Sequence, residues 1–225
     1  GVAQKGRDGY IGLKDFRGDL VRAFQARGFI FHSEVAIWKD PVTAMQRTKA
    51  LGLLHKTIRK DSSMSRQGIN DYLVTMRKPG ANDEPIAHTI ESFPIEMWQR
   101  YASPVWAVVS GADDEGMAKF AADIDPSDTL QYRSAREDDD ERHICPLQLE
   151  IIRRAVRLWT NPDDVVLTPF GGIGSEGVVA LEEGRRAALV ELKASYYQQQ
   201  VRNLAAVARK QDSQLDMFAS IGAAE

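Results

Sequence analysis

A run of glycines near the C-terminal end is the segment of this sequence whose residue types best suit ligand binding. The run is Asp164-Val-Val-Leu-Thr-Pro-Phe-Gly-Gly-Ile-Gly-Ser-Glu-Gly177. Its apolar start predicts a strand, and its glycines predict a turn that lets a ligand approach the backbone closely. The helix that should follow presents free N–H groups and a positive dipole end. We therefore expect a negatively charged group of a ligand to bind at this turn.

A carboxylate follows the glycine turn at a spacing that is typical of ribose recognition. Glu191 ends the next predicted strand, 19 residues after Gly172. A carboxylate in that place can accept hydrogen bonds from both hydroxyls of a ribose. The turn and Glu191 together suggest an adenosine-containing ligand.

Two other interpretations of the turn have to be weighed. Gly172, Gly174 and Gly177 form the pattern Gly-x-Gly-x-x-Gly, which also occurs in dinucleotide-binding domains. Such a domain needs several further strands after its first β-α-β unit, whereas only 34 residues follow Glu191 and their pattern is helical. The remaining alternative is a glycine turn in an α/β domain that binds no ligand.

The elements around the turn follow from the periodicity of apolar residues. From Pro146 onward the pattern predicts a helix to Trp159, a strand Val165–Thr168, a helix to Glu183, a strand Ala187–Leu192 and a last helix to about Lys210. A strand, a helix and a second strand in this order indicate a parallel sheet. The fold class that we expect is therefore α/β.

The N-terminal part has a different pattern. It predicts a first helix that closes at Gly28, a strand Phe29–Trp38, a basic helical stretch from about Val42 to Lys60 and a second strand Asp71–Arg77. Residues 81–142 contain four prolines and many acidic residues, so we expect mostly loop there, with one short helix around Ile95–Tyr101.

The composition indicates a globular, cytoplasmic protein. The chain has 225 residues and 43% apolar content, which is enough for a substantial core. No apolar stretch reaches the roughly 20 residues of a membrane span, and no leader pattern opens the sequence. The single cysteine, Cys145, excludes an internal disulfide framework and a multi-cysteine zinc site, so we expect no metal.

The charge is unevenly distributed along the chain. The net charge is -3, yet residues 43–80 contain eight basic and two acidic side chains, while residues 111–141 contain eleven acidic and three basic ones. The basic stretch could face phosphates and the acidic one could not. An ordinary solvated helix face is the alternative explanation for the basic stretch.

Several segments resemble the N4-cytosine/N6-adenine DNA methyltransferases, most closely the phage and prophage members. They are His143-Ile-Cys-Pro-Leu-Gln-Leu-Glu150, Thr168-Pro-Phe-Gly-Gly-Ile-Gly174, Gly184-Arg-Arg and Glu191-Leu-Lys with Tyr197. The stretch Gly28–Lys39 resembles a late strand of the catalytic half of these enzymes. The resemblance implies a Rossmann-like fold that depends on S-adenosylmethionine and is incomplete at its N-terminus. The motif order is that of the β-type enzymes, in which the cofactor half comes last.

The resemblance also implies the residues of two sites. The expected cofactor-binding residues are His143, Pro146, Thr168, Phe170, Gly171, Gly172, Gly174, Ser175 and Glu191. The expected contacts to double-stranded DNA are Arg47, Lys49, Lys56, Arg59, Lys60 and Arg66. The family usually has aspartate where this chain has Thr168, and a hydroxyl cannot supply that charge to the methionine ammonium of the cofactor.

The catalytic motif of the family is missing from this chain. The family uses Asp, Asn or Ser followed by two prolines and an aromatic residue to hold the flipped base. None of the nine prolines here is adjacent to another. We expect a truncated enzyme that is inactive alone; a catalytically inactive relative and one half of a split enzyme are the alternatives.

These observations predict four parts of the chain. They are the late catalytic-half strands with the basic insertion (1–80), an irregular acidic region (81–142), the cofactor-binding unit (143–211) and a flexible tail (212–225). In the tail, Gln214-Leu-Asp-Met-Phe218 resembles the short peptide with which bacterial proteins bind the replication sliding clamp. The alternative is that Leu215 and Phe218 pack back on the domain at helical spacing.

Overall fold

The computed structural model describes residues 2–3, 9–10, 12–131 and 146–222, without the side chains of residues 2–3, 47 and 214–222. These residues form two compact units. The first consists of Gly1–Pro85 and Ala102–Asp123, and the second of Ile86–Tyr101 and Ile124–Glu225. Of the described residues after position 80, 81–85 and 102–123 belong to the first unit, and 86–101 and 124–131 belong to the second.

The first unit is built on a mixed four-stranded sheet. Its elements are β1 (Val2–Ala3), β2 (Gly12–Leu13), α1 (Phe16–Gln25), β3 (Ile30–Ile37), β4 (Asp71–Arg77), β5 (Val105–Ala112) and β6 (Ala118–Ala122), besides the basic segment. The strand order is β4-β3-β5-β6, with β3 antiparallel to β4 and parallel to β5, and β5 antiparallel to β6. The short strands β1 and β2 pair with each other. The predicted strands Phe29–Trp38 and Asp71–Arg77 are confirmed as β3 and β4.

Local signals explain where α1 and β3 begin and end. The side chain of Asp15 accepts a hydrogen bond from the Gly18 N–H and caps α1. After α1, Gly28 has a left-handed φ of 86°, which a glycine adopts without steric cost and which turns the chain into β3. Ile37 at the end of β3 and Trp106 in β5 are the buried apolar side chains of the two strands.

The basic segment between β3 and β4 is helical, as predicted for about residues 42–60, but it is divided into short pieces. It consists of α2 (Pro41–Thr48), a 3₁₀ turn (Leu51–Leu53), α3 (His55–Lys60) and a second 3₁₀ turn (Ser62–Met64). Lys49 ends α2 in the left-handed conformation, with φ of 47°. The next turn buries Gly52, whose Cα faces the side chain of Arg66 so closely that a Cβ there would lie 2.8 Å from Arg66 Cγ.

The structure also corrects the loop predicted for residues 81–142. Besides the expected helix, which is α4 (Ile95–Tyr101), this region contains the hairpin β5–β6. Asp113 organises its turn by accepting hydrogen bonds from the N–H groups of Glu115 and Met117 at 3.0 and 2.8 Å, and Gly116 adopts a φ of 80°. Acidic residues that we interpreted as a linker are turn residues here.

The second unit contains the predicted β-α-β unit. Besides α4, its elements are α5 (Leu149–Trp159), β7 (Val165–Thr168), α6 (Ser175–Glu182), β8 (Arg186–Leu189) and α7 (Ala194–Gly222). Strands β7 and β8 are parallel, as expected, and run in register from Val165 opposite Arg186 to Thr168 opposite Leu189. Ile152, Val156 and Val179 form the buried cluster that joins α5 to α6, with Leu149 and Val166 packed against it.

Helix α7 is longer than predicted. We expected it to end near Lys210, but its backbone continues to Gly222. No glycine or proline interrupts residues 194–221, so nothing in the sequence stops the helix earlier. In addition, the Gln211 side chain donates a 2.7 Å hydrogen bond to the Leu181 carbonyl, which ties α7 to α6 beyond the predicted end.

An ion-pair network joins α5 to the C-terminal end of α6. Arg157 donates two hydrogen bonds to the Glu183 carboxylate, at 2.7 and 2.9 Å. Arg153 contacts Glu183 at 3.1 Å, Glu182 at 2.9 Å and Glu150 at 3.4 Å. The half-buried Glu183 is therefore shared by two arginines, which fixes the two helices against each other.

Within the part of the chain that is described, no helix combines the length and the apolarity that crossing a membrane requires. The same residues contain no group of three or more His, Cys, Asp and Glu side chains placed to hold a metal ion.

Candidate functional site

The glycine turn connects the end of β7 to the start of α6. The Gly171 N–H donates to the Val190 carbonyl at 2.7 Å, and the Gly174 N–H donates to the Gly171 carbonyl at 2.8 Å. Gly174 has a φ of 93° and is the residue from which α6 starts. A side chain is disfavoured in that conformation, so glycine is required there. The turn thus holds the first N–H groups of α6 at the end of the parallel strands.

Glu191 lies directly against this turn. Its Oε2 accepts a 2.7 Å hydrogen bond from the Gly172 N–H, and its Oε1 accepts a 2.8 Å hydrogen bond from the Lys193 N–H. The spacing in the sequence predicted that Gly172 and Glu191 lie together, and the structure brings them into contact. Each carboxylate oxygen retains a lone pair that can accept a further hydrogen bond.

A cavity of about 220 Å³ opens beside the turn. Five of the residues expected at the cofactor site line it, namely Pro146, Phe170, Gly171, Gly172 and Ser175. Complete pockets for small molecules usually measure about 300–1,000 Å³, so this cavity can hold only part of a nucleoside-sized ligand. Glu191 stands behind Gly172 and does not line the cavity itself.

Thr168, like Gly174 and Glu191, does not line the cavity, and it is buried. Its hydroxyl accepts a 3.2 Å hydrogen bond from the Phe170 N–H, and its carbonyl accepts one from the Val190 N–H at 3.0 Å. The Thr168 side chain therefore supports the turn from inside.

Two residues whose side chains could interact with a ligand line the cavity and were not predicted. Glu176 is half-buried in the first turn of α6, where burial raises the pKa of its carboxyl group above 4.5. Tyr196 in α7 also lines the cavity, with Lys193 Nζ 4.6 Å from the centre of its ring. Glu176 stands inside the glycine run, directly after Ser175, and that proximity was the available signal.

The shape of the turn suits the close approach of a ligand. At Gly172, which has a φ of 51°, a Cβ would point into open space. At Gly171 a Cβ would lie 2.6 Å from Gln200 Oε1, so the chain behind the turn is packed tightly. This oxygen is buried and has no hydrogen-bond partner among the described residues. Phe170 is 84% exposed at the cavity, an aromatic surface that a bound ligand can cover.

These features fit an adenosine-containing ligand. Glu191 supplies an acceptor for ribose hydroxyls, the exposed backbone of Gly172 allows close contact, and the N-terminal turn of α6 offers N–H groups to a carboxylate. The residues present therefore offer hydrogen-bonding groups of the kinds that fit the ribose and the carboxylate of S-adenosylmethionine.

The residues expected to contact DNA lie in the basic segment of the first unit. Lys49, Lys56, Arg59 and Lys60 are exposed, and the last three lie at helical spacing on α3. Arg66 is half-buried against Gly52 and donates a 2.9 Å hydrogen bond to the Gln67 carbonyl. The Arg47 side chain is not among those described.

Two other predictions fall on residues about which the structure says little. His143 lies outside the described residues. The backbone of Gln214–Phe218 is helical within α7, where we expected a flexible tail, and its side chains are not described. Binding of a sliding clamp by this segment stays a prediction.

Comparison with known proteins relates the chain to DNA methylases. YubD of Escherichia coli (strain K12), named as a methylase, is 35% identical over 79 residues, which are 35% of this chain and 33% of that protein. The DNA adenine methyltransferase YhdJ of the same strain is 31% identical over 67 residues, 30% of this chain and 23% of YhdJ. The matches thus cover about a third or less of either relative.

The fold is similar to that of TTHA0409 from Thermus thermophilus, a protein named as a DNA modification methylase and solved in complex with S-adenosyl-L-methionine. The TM-score is 0.61 at 21% sequence identity, and the match covers 92% of this chain and 65% of TTHA0409. This similarity confirms the Rossmann-like α/β methyltransferase fold. A family model described as DNA methylase, of the N6/N4 type, matches residues 13–202. Because that match covers most of the sequence, this chain belongs to the DNA methylase family.

Proposed function

We propose that the chain binds S-adenosylmethionine at the glycine turn and serves as the cofactor-binding part of an enzyme that methylates DNA. The target is the exocyclic amine of adenine (N6) or cytosine (N4). The observation that carries the proposal is the Glu191 carboxylate bonded to the Gly172 N–H beside the cavity. When bound, the cofactor supplies the methyl group from its sulfonium.

Different residues of the site bind different parts of the cofactor. Glu191 accepts hydrogen bonds from the ribose hydroxyls with the lone pairs that Gly172 and Lys193 leave available. Phe170 covers an apolar part of the nucleoside, because its ring is exposed at the cavity. The N–H groups in the first turn of α6, around Ser175, would donate hydrogen bonds to the carboxylate of the methionine part.

Replacing Glu191 by Gln tests the proposal. The amide keeps the shape of the side chain but has one acceptor oxygen instead of two, so charge-assisted hydrogen bonds worth about 1.5–3 kcal/mol are removed. Isothermal titration should show affinity for S-adenosylmethionine lowered by about 10- to 100-fold. Affinity for 5′-methylthioadenosine, which carries the same ribose, should fall similarly.

Glu182→Gln is the matched control, because Glu182 lies at the other end of α6 and contacts Arg153. It should bind both ligands like the unmodified chain. Equal affinities of the Glu191→Gln variant and the unmodified chain would remove Glu191 from the site. No binding of S-adenosylmethionine by the unmodified chain would contradict the proposed function as a whole.

We also propose that α3 contacts the DNA backbone. Lys56, Arg59 and Lys60 are exposed on a short helix, and the described residues around them include no ion-pair partner for any of the three. Cations without a carboxylate partner are available for phosphates, and contacts of this kind position a protein on DNA without reading its sequence.

Methyl transfer by this chain alone is not part of the proposal. The family's Pro-Pro-aromatic motif holds the target base, and the sequence contains no pair of adjacent prolines. We propose that the residues that hold the base come from another polypeptide segment. A relative that binds cofactor and DNA without catalysing transfer is the second candidate.

A further inference from the structure

Glu176 is the charged side chain of the cavity wall. It is half-buried in the first turn of α6, and its carboxylate accepts a hydrogen bond from its own backbone N–H. Within the described part of the chain it forms no ion pair with Lys, Arg or His. Its neighbours along the wall are uncharged: Phe170, the turn glycines, Ser175 and Tyr196.

A carboxylate in this position is costly unless a cation approaches it. Removing an ionised group from water is unfavourable, and a single hydrogen bond from its own backbone compensates only part of that loss. Burial accordingly raises the pKa of Glu176. A positively charged group in the cavity would stabilise the carboxylate, and the cavity is open to a ligand.

Thr168 lacks the carboxylate that the resemblance implies at its position. The resemblance to the family places an aspartate at this position, whereas the hydroxyl here is buried and bonded to the Phe170 N–H. It neither lines the cavity nor carries a charge. The chain therefore lacks one carboxylate that the resemblance implies, and it has another one, Glu176, on the cavity wall.

We infer that Glu176 binds the α-ammonium group of the methionine part of the cofactor, in place of the aspartate that the resemblance implies at position 168. The inference rests on the proposed binding of S-adenosylmethionine. The ammonium and the carboxylate of the ligand are attached to the same carbon. Glu176 belongs to the first turn of α6, so one helix end supplies both the carboxylate and the N–H groups for the two halves of that zwitterion.

A purely structural role for Glu176 has different consequences. An acidic residue in the first turn of a helix interacts favourably with the helix dipole, whatever the cavity contains. A structural role would affect the binding of every ligand of the site alike, through the shape of the turn. A contact with the ammonium affects only ligands that carry an amino-acid group.

The test is a titration of the whole chain and its Glu176→Gln variant with three ligands. S-adenosylmethionine and S-adenosylhomocysteine carry the α-ammonium, and 5′-methylthioadenosine carries only the nucleoside part. We expect the variant to bind the first two at least about tenfold more weakly and to bind 5′-methylthioadenosine unchanged. Thermal unfolding of each protein shows that the variant is folded.

Four results would overturn the inference. The first two are an unchanged affinity of the variant for all three ligands and an equal loss of affinity for all three. The third is a loss of affinity confined to S-adenosylmethionine, which would assign Glu176 to the sulfonium. The fourth is a loss of affinity confined to 5′-methylthioadenosine. Glu191→Gln should weaken all three ligands, so it separates the nucleoside contact from the ammonium contact. Failure of the unmodified chain to bind S-adenosylmethionine would refute the proposed function instead.

Discussion

At the scale of single residues, Glu176 is a residue whose proposed role in binding lowers the stability of the folded chain. Its pKa is raised because burial disfavours the charged form. The groups that face it are Tyr196 from α7, with Lys193 above the Tyr196 ring, and uncharged residues from the segment before α5 and from the turn. The charged carboxylate therefore costs folding free energy until a ligand binds.

This cost predicts a pH dependence. Well below pH 4.5 the carboxyl group is protonated in the folded and the unfolded chain, so Glu176→Gln should leave the free energy of unfolding unchanged. As the pH rises past 4.5, the unfolded chain loses the proton first, and the unmodified protein loses stability relative to the variant. Urea denaturation should show a gain in stability for Glu176→Gln at pH 7.5 that diminishes as the pH is lowered through and below 4.5. A variant less stable than the unmodified chain at pH 7.5 would contradict this account.

A residue of the candidate site could be predicted where a pattern in the nearby sequence marks it, and not where its position depends on the packing of helices. Glu191 was predicted from its fixed spacing after the glycine turn, and the structure places it in hydrogen-bond contact with Gly172 of that turn. Glu176 and Tyr196 were missed because their position in the cavity depends on how α6 and α7 pack. Thr168 was predicted at the ligand, and its hydroxyl accepts a hydrogen bond from Phe170 within the turn, a contact that the sequence did not indicate.

At the scale of elements, the secondary structure that strong local patterns determine was predictable. The strands β3, β4 and β7 and the helices α4 and α5 follow from apolar periodicity and from breaking residues. The hairpin β5–β6 was not predicted, because acidic residues of its turn suggested a charged linker, although Val105–Val109 is an apolar run with strand character. The helical stretch predicted for about 42–60 is present, but the pattern did not indicate that Lys49 in the left-handed conformation and a 3₁₀ turn divide it.

Helix α3 supports a prediction about DNA binding. Replacing Lys56, Arg59 and Lys60 together by Gln should weaken binding to duplexes of any sequence, because phosphate contacts carry no base information. The dependence of log K on log salt concentration should become shallower by about 0.9 for each phosphate that the variant no longer neutralises. Fluorescence anisotropy over a range of salt concentrations measures both effects.

Lys119→Gln is the control for this triple variant, since Lys119 is an exposed lysine of β6, outside the basic segment. It should bind DNA like the unmodified chain. A triple variant with an unchanged salt dependence would show that α3 is an ordinary solvated helix.

At the scale of the whole molecule, the family assignment covers residues 13–202, whereas the match to TTHA0409 covers 65% of that protein. The fold class and the parallel pair β7–β8 were predictable because the β-α-β pattern is contained in one continuous stretch. The division into two units was not, because each unit combines segments that are distant in the sequence.

The absence of adjacent prolines from the sequence predicts that the chain alone transfers no methyl group to DNA. With radiolabelled S-adenosylmethionine and duplex DNA of mixed sequence, the chain alone should incorporate no label above the level without DNA, since it has no adjacent prolines to hold a target base. Incorporation well above that background would mean that other residues of this chain hold the base.

The most direct test of the central claim is to locate S-adenosylmethionine on the chain by NMR. In a ¹H–¹⁵N titration, we predict that the largest shifts occur at the backbone amides of Gly171, Gly172 and Gly174 and at those of Glu176 and Glu191. Glycine amides are resolved in such spectra, and three of these five residues are glycines. Saturable shifts confined to this set would support the site. Absence of saturable shifts, or shifts located on α3 and not at the glycine turn, would contradict it.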